Sequence, residues 1–151
     1  MDILGLFPLA KGQVKYLIVA IDYFTKWIEA EPIATITARQ VQNFMCKQVI
    51  CRHGLPHNVV TDNERQFTNS NFEKFVKQLG VKHLVTRVEH PQTNRQAEAA
   101  NKVILGELRK KLGRLKGLWA KEVMRILGDI IALHSQRQKR HPTDLHMGPM
   151  P

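Results

Sequence analysis

VVTDNERQFTNSNF, Val59 to Phe72, is the stretch whose reading decides the fold. Val59-Val60-Thr61 is β-branched and apolar, the composition of a short buried strand. It stops at Asp62, with Asn63, Glu64, Arg65 and Gln66 directly behind. A carboxylate there sits at the rim of a sheet, partly out of water, which is costly unless something positive meets it. Asp62 also reads as the start of an Asx turn that ends the strand. The rest of the chain decides between the two.

At 151 residues the chain is long enough for one domain with a real core. Its charge is lopsided: 23 Lys+Arg against 13 Asp+Glu give +10 at pH 7. A balance of that size points to a polyanionic partner, most often nucleic acid, although a basic surface also serves solubility alone. Cys46 and Cys51 are five residues apart in what reads as one helix. That spacing puts them on different faces and argues against a disulfide. His53 and His57 lie close by, but Gly54-Leu55-Pro56 separates them and the spacing matches no usual zinc pattern. No apolar run reaches the length of a membrane span and the start lacks a signal-peptide pattern, so no secretion or membrane signal is read.

Outward from Val59, the apolar run Tyr16–Ile21 reads as a central strand buried on both faces. Tyr23-Phe24-Thr25 and Trp27-Ile28 read as a second strand after a turn at Asp22, and Asp2-Ile3-Leu4 as the stub of a first. Three capping boxes predict helix starts: Thr37 to Gln40, Ser70 to Glu73 and Thr93 to Gln96. The first opens a helix with Val41, Phe44, Met45 and Val49 inward, ending near Gly54. The second opens one with Phe72, Phe75, Val76 and Leu79 inward, ending at Gly80. The third opens a long helix to about Leu115, buried along Ala97, Ala100, Ile104, Leu108 and Leu112. Val81–Thr86 is a further strand, and a last helix from about Leu118 to His134 buries Trp119, Val123, Ile126 and Ile130. Strands first, then strands alternating with helices, predict an α/β fold with a mixed central sheet of about five strands flanked by helices. Residues 136–151 are polar and Pro-rich without periodicity and read as a disordered tail.

Three carboxylates recur at special places: Asp2 on the stub strand, Asp62 at a strand end, and Glu98 one turn into the long helix, beside its apolar stripe. Acids gathered at a rim repel one another unless cations bridge them, and all-oxygen ligands suit Mg²⁺ or Mn²⁺. Two such ions together can support phosphodiester displacement. Between Asp62 and Glu98 lie 35 residues. This resembles the D,D-35-E signature of retroviral and retrotransposon integrases. The words around it resemble that family too: MDILG at Asp2, AIDYFTKWIEAEP from Ala20, GLPH at Gly54, TDN at Thr61, HPQTN at His90 and QAEAANK at Gln96. Their order is similar to the integrase core of a gypsy-type long-terminal-repeat retrotransposon, over roughly residues 1 to 127.

The resemblance implies a ribonuclease H-like fold over residues 1–135, truncated at its first strand. It implies Asp2, Asp62 and Glu98 as catalytic residues and ligands of a two-metal Mg²⁺ or Mn²⁺ site. The reaction it implies is 3′-end cleavage of the element's DNA and strand transfer into target DNA. DNA is then the partner, at element ends and target; a homodimer and a nuclear location are further expectations. Asn94, Arg95, Gln96, Lys102 and Arg109 are the expected DNA-binding residues, on or beside the catalytic helix. The basic run Arg109 to Lys116 reads either as part of that face or as a solvated helix end complementing the dipole. Asp22 matches a non-catalytic family position and reads as a strand-end turn. Three departures stand against activity: Glu64 and Arg95 where the family has Gly, and a divergent sequence after Leu127. If position 64 needed positive φ, Glu would cost roughly 1 kcal/mol there. The competing readings are a degenerate remnant that binds nucleic acid without chemistry, and a ribonuclease or other nuclease on the same fold.

Overall fold

A computed structural model describes residues 1–86 and 95–139 of the chain. Five strands are present: β1 (Asp2–Leu4), β2 (Tyr16–Ile21), β3 (Ile28–Ile33), β4 (Asn58–Thr61) and β5 (Lys82–Val85). β1, β2 and β3 form an antiparallel sheet in that order; β4 and β5 form a parallel pair. The Met1 ammonium bridges the two ladders by donating to the Val60 carbonyl at 2.6 Å.

The alternation along β2 explains why both faces of the sheet are covered. Leu17 and Val19 point to one side and Ile18 to the other, as the period of two requires, and all three are buried. Leu17 and Val19 pack with Leu4, Ile28 and Ala30 against Ile104, Leu108 and Leu112 of α5 (Arg95–Arg114) and Val123, Ile126 and Ile130 of α6 (Val123–Lys139). Ile18 packs with Ile33 and Val59 against α1 (Ala38–Phe44) and α4 (Ser70–Gln78), through Val41, Phe44, Phe72 and Val76. The result is a mixed α/β arrangement with helices on both faces.

Local chemistry sets the element ends. Thr37 caps α1, its hydroxyl accepting from the Gln40 amide at 3.1 Å. The helix runs on as a π-helical stretch (Met45–Ile50) and a last turn α2 (Cys51–His53), and stops at Gly54. The cap of α4 is Asn69 rather than Ser70, because the Asn69 side chain reaches the Phe72 amide at 2.8 Å. Gly80, at φ +75, closes α4 with paired bonds from Gly80 N to Lys77 O and Val81 N to Val76 O, and Val81 packs beside Val76. Pro32 is tolerated in β3 because β3 is an edge strand.

Several expectations shift. The second strand starts at Ile28; Tyr23–Thr25 is the turn itself, since the Asp22 carboxylate accepts from the Phe24 amide at 2.9 Å. Trp119 precedes α6, whose first residue is Val123, and α6 continues through 136–139, where a tail was expected. A short helix α3 (Arg65–Thr68), absent from the sequence reading, follows Asp62 and buries Phe67. The Thr93 cap, Asn94 and the tail from residue 140 lie outside the described residues. Trp119 pins the segment after β1: its ring stacks on Phe7 at 4.6 Å and its indole N–H donates to Pro8 O at 2.7 Å. No helix among the described residues is long and apolar enough to cross a membrane.

Candidate active site

β1 and β4 are the two strands that meet at the junction of the ladders, and each carries one of the expected acids. Asp2 opens β1 and Asp62 directly follows β4. Both are half-buried. They are close enough for the charge of Asp62 to act on Asp2. The Asp2 carboxyl lies above its ordinary value, first because burial penalises the charge. The Ile3 amide, donating to Asp2 Oδ1 at 2.9 Å, and the Met1 ammonium pull it down; Asp62 pushes it further up and Arg109 opposes. The Met1 ammonium is itself pushed down by burial, against the attraction of Asp2 and Asp62.

Asp62 also makes the Asx turn: its Oδ1 accepts from the Glu64 amide at 3.1 Å. The turn and the site readings therefore describe the same carboxylate, with one oxygen engaged by the backbone. Glu64 joins the group. Its φ is −74°, so the expected glycine-like strain does not arise. Its side chain bonds to Gln66 Nε2 at 2.5 Å and to the Asp62 carboxyl. The Gln66 bond lowers the Glu64 carboxyl, but burial and the charges of Asp62 and Asp2 outweigh it and leave the group raised.

Glu98 lies in the first turn of α5, with Arg95 and Gln96; the side chains of all three are outside the described residues. Lys102 and Arg109 are exposed on α5. The charge of Arg109 is the smallest of the influences on Asp2. Among the described residues, no three His, Cys, Asp or Glu side chains converge to hold an ion. Asp2 and Asp62 nonetheless fit Mg²⁺ or Mn²⁺ by donor type, being hard oxygens from adjoining strands whose repulsion a cation would relieve.

The family described as Integrase core domain matches residues 1–91, a segment that contains Asp2 and Asp62. A Gag-Pol polyprotein of avian reticuloendotheliosis virus is 30% identical over 110 residues, covering 73% of this chain and 10% of that protein. A Pol polyprotein of radiation murine leukemia virus (strain Kaplan) is 32% identical over 96 residues, covering 64% of this chain and 16% of that protein. The chain thus spans a small part of the curated relatives it matches. Among solved structures, a chain of the simian T-cell lymphotropic virus intasome in complex with PP2A regulatory subunit B56 gamma superimposes with a TM-score of 0.55. The match covers 84% of this chain and 48% of that one, and at 18% identity it carries the fold alone, which is ribonuclease H-like.

Proposed function

The chain belongs to the integrase core domain family, and from that premise we propose that it is the catalytic core of a gypsy-type long-terminal-repeat retrotransposon integrase. In this reading Asp2, Asp62 and Glu98 would hold Mg²⁺ or Mn²⁺, which would supply Lewis-acid activation of a water or hydroxyl and charge neutralisation at a leaving oxygen. The residues of the chain do the placing. Asp62 is oriented by its turn and Asp2 by its bond from Ile3, while the Met1 ammonium and, to a smaller extent, Arg109 offset the Asp2 charge. Lys102 and Arg109, with Asn94, Arg95 and Gln96, contact the DNA backbone in this reading. A nuclear location and a homodimer belong to the same proposal.

The observation that carries it is the juxtaposition of Asp2 and Asp62 across the β1–β4 junction, where both carboxylates are half-buried. A second reading, a remnant that binds nucleic acid without chemistry, is favoured by the Glu64 carboxyl bonded to Asp62, which competes for the same ion. Thermal melts with Mn²⁺ or Mg²⁺ test the metal reading, since an ion bound only by the folded carboxylates raises Tm by mass action. Asp62→Asn is expected to abolish the rise; equal shifts in both proteins would sink the site.

A further inference from the structure

Thr61 and Glu29 are the two buried polar residues among the described ones. Glu29 is accounted for structurally, accepting from Trp27, Arg52 and His53 at the sheet edge. Thr61 stands immediately before Asp62 and is 2% exposed. Its Oγ1 donates to the Asp62 carbonyl at 2.9 Å and lies 2.7 Å from His83 Nε2. The His83 side chain is 4% exposed, and its Nδ1 is 2.5 Å from Glu73 Oε1. The register explains the meeting: Val59 pairs with His83 and Thr61 with Val85, so Thr61 and His83 are diagonal neighbours on one face. Phe72 packs edge-on to the imidazole at 5.2 Å and walls it from water. Lys74 and Lys77 of α4 line the shallow cleft outside it with Glu73.

Hydrogen counting gives this series of bonds a direction. The single Thr61 hydroxyl proton is committed to the Asp62 carbonyl, so Oγ1 accepts from His83 Nε2–H. Nδ1 faces the Glu73 carboxylate. The series runs Glu73, His83, Thr61, Asp62 carbonyl. On the other flank, the Thr61 carbonyl accepts from the Thr86 amide at 2.9 Å. Both peptide planes that meet at the Asp62 Cα are therefore held, and with them the direction of its side chain.

We propose that Glu73, His83 and Thr61 are positioning residues that fix the Asp62–Asn63 peptide and thereby aim the Asp62 carboxylate. This deepens the metal reading above and rests on it. Partners of this kind, one bond behind a ligand, typically govern affinity by about 10–100-fold. The test has a metal-free arm and a Mn²⁺ arm, both on the full chain. In the first, NMR follows the His83 ring nitrogens and the Asn63 amide through a pH titration. The Asn63 amide is expected to track His83 in the wild type, to stay flat in Thr61→Val, whose shape is unchanged but whose hydroxyl is gone, and to track again in Thr61→Ser. In the second, calorimetry is expected to show Mn²⁺ affinity about tenfold weaker in Thr61→Val and regained in Thr61→Ser. Should Thr61→Val fail to fold, Glu73→Gln, at a half-exposed position, is expected to uncouple the Asn63 amide and weaken Mn²⁺ in its place. An Asn63 amide indifferent to His83 in the wild type overturns the relay. So does Mn²⁺ affinity unchanged in the Thr61 and Glu73 variants while Asp62→Asn abolishes binding. If the wild type binds no Mn²⁺, the metal reading fails and the NMR arm alone decides the relay.

Discussion

Asp2→Asn is expected to stabilise the metal-free protein and to remove its response to divalent ions. Burial of the charged Asp2 carboxyl is its largest penalty, and the charge of Asp62 across the β1–β4 junction adds to it. The Met1 ammonium and the exposed Arg109 offset much of it, leaving a net gain of about 1 kcal/mol when the charge is removed. The substitution keeps an oxygen for the Ile3 amide, so the local hydrogen bond survives. About 1 kcal/mol corresponds to roughly 2–4 °C in a domain of this size. The effect depends on pH with a definite sign. The folded Asp2 carboxyl lies above its ordinary value of 3.8, so the folded state binds the proton more tightly than the unfolded chain. The penalty is absent below that value and grows as pH rises through the raised one. The variant's advantage is therefore full at neutral pH and vanishes in acid. With Mn²⁺ at about 100 times its Kd, the wild type gains about 2.7 kcal/mol, or roughly 5–10 °C, and the variant does not. Differential scanning calorimetry at several pH values, with and without Mn²⁺, measures all of this. A metal-free Asp2→Asn variant that melts below the wild type at pH 7 would refute the claim that burial and the charge of Asp62 penalise the ionised Asp2 carboxyl.

DNA binding is expected to be largely sequence-independent and to weaken steeply with salt, because a chain of charge +10 releases counterions on binding. Fluorescence anisotropy at several ionic strengths checks this, and Lys102→Ala should weaken binding uniformly without changing Tm. Trp119→Phe keeps the stack on Phe7 but leaves the Pro8 carbonyl without its donor, at a cost of about 1–3 kcal/mol in urea unfolding. Glu64→Gln removes a carboxyl that shares a hydrogen bond with Asp62. It is expected to raise Mn²⁺-dependent cleavage of an oligonucleotide bearing the element's end, and equal rates would show that Glu64 does not compete.

Most of the fold was legible because it rests on periodicity. The run Tyr16–Ile21 named a strand with both faces covered, and its two faces divide between the two cores. Of the expected stripe, Ile104, Leu108 and Leu112 are fully buried, Ala100 is half-buried, and the Ala97 side chain lies outside the described residues. Misreadings fall where short-range polar chemistry overrides pattern. Tyr23-Phe24-Thr25 has strand composition, yet the Asp22 side chain captures the Phe24 amide and bends it into a turn. Asn69 caps α4 one residue before the expected Ser70, since its amide oxygen reaches the Phe72 amide first. The position of Asp62 directly after β4 was legible from its abrupt arrival after an apolar run. The bond from His83 to Thr61 was not, because 22 residues separate them and only the β4–β5 register brings them together. Nor was the small influence of Arg109 on Asp2, because the two are far apart in the sequence.

The two acids differ in how firmly they are held, and this bears on the chemistry. Asp62 sits between two fastened peptides, and one of its carboxylate oxygens accepts the turn's hydrogen bond. Asp2 lies on β1, which pairs in a ladder with β2 alone; toward β4 the strand is bridged by Met1 N to Val60 O. Displacing a reacting group by about 1 Å can cost roughly 100-fold in rate. Any change that loosens that bridge therefore moves Asp2 relative to Asp62, while the Asp62 carboxylate keeps its aim. The geometry of a carboxylate site is only as good as its looser member. In the proposed site, tightening the β1–β4 junction is therefore expected to raise Mn²⁺-dependent cleavage of an oligonucleotide more than a further constraint on Asp62 does.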